Sequence, residues 1–149
     1  MLVFRITSRT YASDLQGTGC LYTGGRWHYK GTQILYTSEH VSLAKLEILA
    51  NSSFIPRNQA LVTIELPDSA PIFVPDPQQF PENWWQFPYP SSLADLTEEW
   101  IETGQFWLMK VPSAHSFMEF NYLLNPMHPD HKLAKIKSIE DIHFDKRLK

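Results

Sequence analysis

The chain has 149 residues, a formal net charge of −3 and 43% hydrophobic residues. This length fits one domain that buries a core, and the composition is neither that of a disordered chain nor that of a membrane-spanning one. The negative charge argues against direct binding of nucleic acid, which normally requires a basic surface. The chain begins with a strand-like run rather than a signal peptide and contains one cysteine, Cys20, so a cytoplasmic location is expected.

Hydrophobic patterns predict short strands and a few helices in chain order. The predicted strands span residues 2–6, 33–37, 60–66, 106–111, 135–139 and 142–144. The predicted helices span residues 41–50, a short stretch from Leu93 to Trp100 that stops at Gly104, and residues 117–124. Without repeats or linkers, the sequence predicts a single compact α+β domain over residues 1–149, with short mixed and antiparallel strands.

Two segments have an unusual composition. Residues 17–31, the glycine segment, hold five of the six glycines. Glycines allow the backbone to approach another group closely. Residues 71–90 are rich in proline and also contain Trp84, Trp85, Phe87 and Tyr89. We call residues 71–90 the Pro/Trp segment. For this segment we predict either an ordered loop packed by its aromatic side chains or a surface for a partner.

Glu47 is the leading candidate for chemistry. It lies in the predicted helix 41–50, for which Ser38 is the expected N-cap and Glu39 an expected first-turn residue. At about 100° per residue Glu47 falls between Leu43 and Ala44, on a helix so apolar that we expect it to be buried. A buried carboxylate needs cationic or hydrogen-bonding partners. Three interpretations remain open: a solvent-exposed helix end, a structural ion pair and a catalytic group.

Other polar and aromatic residues could complete a site. Arg5 lies in an apolar strand and Arg26 follows two glycines; such arginines suit a phosphate-bearing ligand, or else a structural carboxylate and solvent. Tyr22 and Tyr36 lie before and after Gly24-Gly25 and could stack a flat heterocycle, or be ordinary core residues. Ser113 could donate its hydroxyl to Glu47 or to a ligand, or only cap a turn.

The standard phosphate-loop, zinc-protease and serine-hydrolase motifs are absent from the sequence. His128 and His131 lie three residues apart, but in a segment interrupted by proline. The sequence therefore predicts no metal site.

Several motifs in register resemble the RES domain family. They are FRI at residues 4–6, LYTGGRW at 21–27, ILYTSE at 34–39, Leu46-Glu47, VPS at 111–113 and FNYLLNPMHP at 120–129. The arginine, glutamate and serine that give the family its name fall on Arg26, Glu47 and Ser113. The resemblance covers nearly the whole chain. One departure is Tyr29-Lys30-Gly31, where a turn containing serine or proline is expected.

The resemblance implies a toxin of a bacterial toxin–antitoxin pair with a fold like that of ADP-ribosyltransferases. It further implies cleavage of NAD at the nicotinamide–ribose bond, by hydrolysis or phosphorolysis, with NAD as the substrate and no cofactor. The implied residues are Glu47, Arg26 and Tyr36 for catalysis, and Arg5, Tyr22, Ser113 and Asn125 for substrate binding. The implied partner is an antitoxin with a helix-turn-helix DNA-binding domain, and whether the toxin is a homodimer in that complex stays open.

Two other functions stay open at this point. The first is transfer of ADP-ribose to a protein by the same site, since acceptor choice depends on what reaches the anomeric carbon. The second is a non-catalytic interaction module that works through the Pro/Trp segment.

Overall fold

The computed structural model describes residues 1–149 and contains one seven-stranded sheet with two α-helices. The elements are β1 Leu2–Ser8, β2 Leu35–Ser38, α1 Val41–Ala50, β3 Gln59–Glu65, β4 Ile72–Phe73, α2 Ser92–Thr103, β5 Leu108–Pro112, β6 Phe120–Leu124 and β7 Lys135–Asp141. The strand order is β4-β5-β6-β2-β1-β3-β7, and every neighbouring pair is antiparallel except β4 with β5. The predicted α+β class with one mixed sheet is confirmed.

The centre of the sheet is buried on both faces. Leu123 and Leu124 are successive residues of β6, so they point to opposite faces, and both are fully buried. Leu124 packs in a cluster with Trp107, and Leu123 packs in a second cluster with Trp100 of α2. This double burial explains why β6 ends in two successive leucines.

Helix α2 confirms its sequence pattern. Leu93, Thr97 and Trp100 are buried on one face, and the helix stops at Gly104, whose left-handed φ of 60° suits a glycine C-cap. Helix α1 also has the predicted bounds and packs against β1 and β2.

The predicted cap of α1 is wrong. The N-cap position is occupied by His40, while Ser38 ends β2 and donates its hydroxyl to Asn121 Oδ1 at 2.7 Å. Glu39 lies before the helix and accepts the backbone N–H of Phe120 at 2.8 Å. Both side chains therefore bind β6 rather than the first turn of α1, because the β2 strand continues to Ser38.

The predicted helix over 117–124 is also wrong, because this stretch contains strand β6 between β2 and β5. The short, mostly hydrophobic run FMEFNYLL fits a strand as well as a helix. At the C-terminus a single strand, β7, replaces the two predicted ones, and residues 142–144 lie outside it.

The Pro/Trp segment is an ordered loop packed by aromatic side chains, the first of the two predicted alternatives. After edge strand β4 it places Phe80 and Trp84 against Trp27, with ring centroids 5.6 Å and 6.2 Å away. Phe87 remains 82% exposed. Neither α-helix has the length and apolar character of a membrane-spanning segment.

Candidate active site

A cleft of about 640 Å³ lies between β1, the glycine segment and α1. Its volume is within the range typical of small-molecule sites. It is lined by predicted and unpredicted residues alike, among them Arg5, Thr7, Arg26, His28, Tyr36, Glu47, Phe87, Tyr89, His115 and Asn121.

Glu47 projects from α1 into this cleft with a fixed orientation. Its Oε1 accepts the Ser113 hydroxyl at 2.9 Å and the Asn121 Nδ2 at 2.5 Å. Because Asn121 Oδ1 accepts the Ser38 hydroxyl, the Asn121 amide must present its nitrogen to Glu47. The Glu47 side chain is 27% exposed. It is therefore half-buried rather than enclosed as the sequence suggested, and its other oxygen, Oε2, takes part in neither hydrogen bond.

Ser113 lies behind Glu47, directly after β5. Its Oγ accepts the backbone N–H groups of His115 and Ser116 at 3.0 Å and 3.2 Å. With its lone pairs used in this way, its single proton is directed to the Glu47 carboxylate. Of the alternatives considered for this serine, the structure thus combines a turn cap with donation to Glu47.

His115 follows from the same turn. Its Nε2 lies 3.5 Å from Glu47 Oε2, and its side chain is 30% exposed. The only sequence signal for His115 is its position two residues after Ser113.

Tyr36 and His28 form a second polar pair in the cleft. His28 Nε2 lies 2.8 Å from the carbonyl oxygen of Thr23, so this nitrogen carries the proton and donates it. Burial lowers the pKa of His28, so the ring is neutral and its Nδ1 accepts the Tyr36 hydroxyl at 2.7 Å. Burial raises the pKa of Tyr36 well above its ordinary value, which keeps the phenol protonated for this bond.

Gly25 makes this pair possible. A Cβ at position 25 would lie 2.8 Å from His28 Nδ1, closer than side-chain carbons are found in proteins. The glycine concentration noted in the sequence therefore serves a close approach at this position.

Arg5 reaches the cleft from the middle of β1. Its Nη1 donates to the backbone carbonyl of Asp14 at 2.5 Å, and Thr7 Oγ1 lies 3.5 Å from Nη2. Burial lowers the pKa of Arg5, although the nearby Asp14 carboxylate opposes that shift. Arginine keeps its charge under such desolvation, so the cleft retains a cation on this wall.

Arg26 connects the glycine segment to the Pro/Trp segment. Its Nη1 donates to the carbonyl oxygens of Trp84 and Gln86 at 2.6 Å and 3.0 Å. Its guanidinium carbon lies 5.3 Å from the centre of the Tyr89 ring. Burial lowers the pKa of Arg26, and the charge of Glu47 opposes this effect. Arg26 therefore holds Phe87 and Tyr89 at the rim of the cleft as well as supplying charge.

The structure brings Arg5, Arg26, Tyr36 and Glu47 together in one cleft, with Ser113 in contact with Glu47. Two further predicted residues, Tyr22 and Asn125, lie elsewhere.

Tyr22 is 71% exposed and does not line the cleft, because it follows a short 3-10 turn that directs it to solvent. Asn125 is buried after β6, where its Oδ1 accepts the N–H of Met127 at 2.9 Å. Asn121, four residues earlier and not predicted, donates to Glu47 instead.

The other reactive side chains have structural contacts. His131 Nδ1 accepts the indole N–H of Trp107 at 3.0 Å, and its Nε2 donates to the carbonyl of Leu15 at 2.7 Å. Cys20 is buried, which raises the pKa of its thiol, and its Sγ lies 3.3 Å from the carbonyl of Ile34. No group of three or more histidine, cysteine or acidic residues is placed to hold a metal ion.

Comparison with solved structures supports the fold. The chain is similar to a chain in the crystal structure of the M. tuberculosis MbcT–MbcA toxin–antitoxin complex, with a TM-score of 0.72 over 95% of this chain and 83% of that one. The two are 17% identical, so the likeness concerns the fold alone. It shows that the two chains share one fold.

Comparison with known sequences defines the family. A protein of Yersinia enterocolitica named Toxin Res is 37% identical, with both chains covered completely. A protein of Sphingobium sp. named Prs ADP-ribosylating toxin is 36% identical over 95% of this chain and 91% of its own length. The RES domain model matches residues 2–145. This chain therefore belongs to the RES domain family of toxins.

Proposed function

We propose that this protein is the toxin of a toxin–antitoxin pair and that it cleaves NAD at the nicotinamide–ribose bond. One observation carries the proposal: the Glu47 carboxylate, oriented by Ser113 and Asn121, shares a cleft with two arginines. Family membership and the names of the relatives support the toxin role.

The chemistry suits the charges of the cleft. When the bond from ribose C1′ to the nicotinamide nitrogen breaks, its electron pair neutralises the pyridinium ring, and positive charge develops on the ribose. A fixed carboxylate stabilises such an oxocarbenium-like state more than the ground state, which is how a preorganised charge lowers a barrier. Nicotinamide leaves as a neutral molecule, so departure requires no proton donor. Glu47 acts on the ribose in this scheme.

Other residues of the cleft suit the pyrophosphate and the two flat rings of NAD. Arg5 and Arg26 provide cations for the two negative charges of the pyrophosphate, through guanidinium groups that bind phosphate oxygens. Tyr36 and the rim residues Phe87 and Tyr89 provide aromatic faces for the two flat rings of NAD. NAD is the substrate in this scheme, and no separate cofactor takes part.

Product analysis tests the proposal. Purified protein is incubated with NAD, with and without phosphate, and the products are identified by mass. Nicotinamide with ADP-ribose indicates hydrolysis, and nicotinamide with phosphorylated ADP-ribose indicates phosphorolysis. Intact NAD at high enzyme concentration would contradict both reactions.

Transfer of ADP-ribose to a protein is the second candidate. It is favoured by the name of the Sphingobium relative, Prs ADP-ribosylating toxin, which is similar over 95% of this chain. Incubation of a cell lysate with labelled NAD and the toxin would reveal a labelled protein band that a Glu47→Gln variant does not produce. The non-catalytic module gains no comparable support, since the carboxylate and both arginines converge on one cleft.

An antitoxin partner is the third part of the proposal, because an enzyme that depletes NAD harms its own cell unless it is restrained. The toxin–antitoxin complex among the similar structures supports such a partner. We expect it to carry a helix-turn-helix domain and to insert a chain segment with a carboxylate into the cleft, between Arg5 and Arg26. The Pro/Trp segment is a second contact candidate.

A further inference from the structure

We propose that His115 accepts the proton of the water molecule that attacks ribose C1′, with Glu47 holding the imidazole in the required tautomer. This inference rests on the proposed cleavage of NAD and assigns a role to a residue that the sequence did not indicate. It concerns the acceptor side of the reaction, whereas Glu47 was assigned to the ribose.

The two oxygens of Glu47 have different partners. Oε1 receives both structural hydrogen bonds, from Ser113 and Asn121. Oε2 is approached by His115 Nε2 at 3.5 Å. A contact of this length in a ligand-free cleft is consistent with a hydrogen bond that shortens when substrate binds.

The position of Glu47 Oε2 bears on which nitrogen of His115 carries the proton. A carboxylate only accepts hydrogen bonds, so a bond between these two atoms requires the proton on Nε2. The opposite nitrogen, Nδ1, then has a free lone pair, and it makes no hydrogen bond within the protein. An imidazole oriented by a carboxylate is the arrangement that general bases use in hydrolytic sites.

The position of His115 in the cleft supports this role. His115 lines the cleft together with Glu47, and its backbone N–H is anchored to Ser113 Oγ at 3.0 Å. The anchored turn fixes the backbone of His115, while the side chain is 30% exposed and so accessible to water. The same serine therefore orients both members of the pair.

The proposed hydrolysis forms one bond and breaks one bond at C1′. The oxygen of water forms a bond to C1′ as the bond from C1′ to nicotinamide breaks, and the electron pair of that bond stays with the nicotinamide nitrogen. The water proton moves to His115 Nδ1, and the resulting imidazolium is stabilised by Glu47 Oε2. His115 later releases the proton to solvent, so the net products are nicotinamide, ADP-ribose and one proton.

The test compares His115→Gln and His115→Ala with wild type, and His143→Gln is the matched control because His143 is exposed and outside the cleft. Nicotinamide release from NAD gives kcat and KM, and thermal unfolding confirms folding. We expect kcat for hydrolysis to fall about 100-fold or more in both His115 variants, the usual contribution of a general base, with KM for NAD nearly unchanged.

Azide distinguishes proton transfer from a structural role. Azide is an anionic nucleophile with no proton to lose, so it should restore nicotinamide release in His115→Ala and give an azido-ADP-ribose identified by mass. A Glu47→Gln variant should not be rescued, because it lacks the charge that stabilises the ribose.

Three results would overturn the inference while leaving NAD cleavage intact: undiminished kcat in both His115 variants, a raised KM at unchanged kcat, or a lost kcat that azide does not restore. A wild-type protein that releases no nicotinamide would instead refute the proposed function itself.

Discussion

Ser113 and Glu47 are 66 residues apart in the chain, yet the Ser113 hydroxyl donates to Glu47 Oε1 at 2.9 Å. Strand β5 delivers the serine and α1 delivers the carboxylate, and Asn121 of β6 completes the contact. The orientation of the carboxylate thus depends on the pairing of β6 with both β2 and β5, which ties the proposed chemistry to the centre of the sheet.

Removing the charge of Glu47 should abolish the activity. In Glu47→Gln the amide oxygen can keep the bonds from Ser113 and Asn121, while the negative charge disappears. We expect NAD cleavage to fall about 100-fold or more, because the charge acts mainly on the transition state. Nicotinamide release measures the loss, and unfolding midpoints check folding. Glu65→Gln, on the exposed end of β3, should retain full activity. Normal turnover by a folded Glu47→Gln protein would place the catalytic role elsewhere.

Removing the Ser113 hydroxyl should affect both stability and rate. Ser113→Ala leaves the N–H groups of His115 and Ser116 without their acceptor and Glu47 without one donor. We expect a loss of about 1–3 kcal/mol in the free energy of unfolding, measured by denaturant titration, and at least a tenfold lower kcat. Ser116→Ala is the matched control, since only backbone atoms of Ser116 make hydrogen bonds. Equal effects of the two substitutions would refute a specific role for Ser113.

Arg26 should contribute mainly to binding. In Arg26→Ala the cleft loses one cation, and the carbonyl groups of Trp84 and Gln86 lose their donor. We expect a raised KM for NAD and faster hydrogen exchange in residues 84–89, while Arg57→Ala, at an exposed site, changes neither. A large fall in kcat at unchanged KM would show that Arg26 acts mainly in the transition state.

Acidification should destabilise the protein through its buried histidines. Burial lowers the pKa of His131 and of His28 below the ordinary value of 6.5. The unfolded chain therefore binds protons at a higher pH than the folded one, so the free energy of unfolding falls as pH drops from the ordinary value towards the lowered values. The unfolding midpoint should decrease between about pH 7.5 and about pH 5.5, a window around the ordinary histidine pKa of ~6.5.

A substitution identifies the source of this dependence. His131→Gln should reduce the pH dependence, and His28 should supply the remainder, whereas His143→Gln should leave it unchanged because that side chain is exposed. An unchanged pH dependence in His131→Gln would show that protonation of His131 does not control stability.

NAD and the antitoxin should compete. If a carboxylate-bearing segment of the partner enters the cleft between Arg5 and Arg26, rising NAD should slow association of the antitoxin's C-terminal peptide with a Glu47→Gln toxin. Binding kinetics measure this effect, with a scrambled peptide as the control. Peptide binding that is indifferent to saturating NAD would show that inhibition acts from outside the cleft.

Local patterns in the sequence were sufficient for the elements whose hydrophobic period is clear. Val62, Ile64 and Leu66 alternate as a half-buried strand should, and all three are buried. The spacing of Leu93 and Trp100 before Gly104 likewise gave helix α2 and its end. These signals are local because the burial of one face imposes the period on the sequence itself.

The tertiary structure alone decided what surrounds Glu47. The pattern of residues 117–124 did not distinguish a strand from a helix, so the position of Asn121 beside Glu47 could not be foreseen. His115 and Asn121 reach the carboxylate through contacts between residues distant in sequence. Sequence motifs identified the family and Glu47, because a motif consists of residue types and their spacing, and both can be read from the chain itself. The hydrogen-bonding partners depend on which strands become neighbours, and that is settled only when the sheet forms.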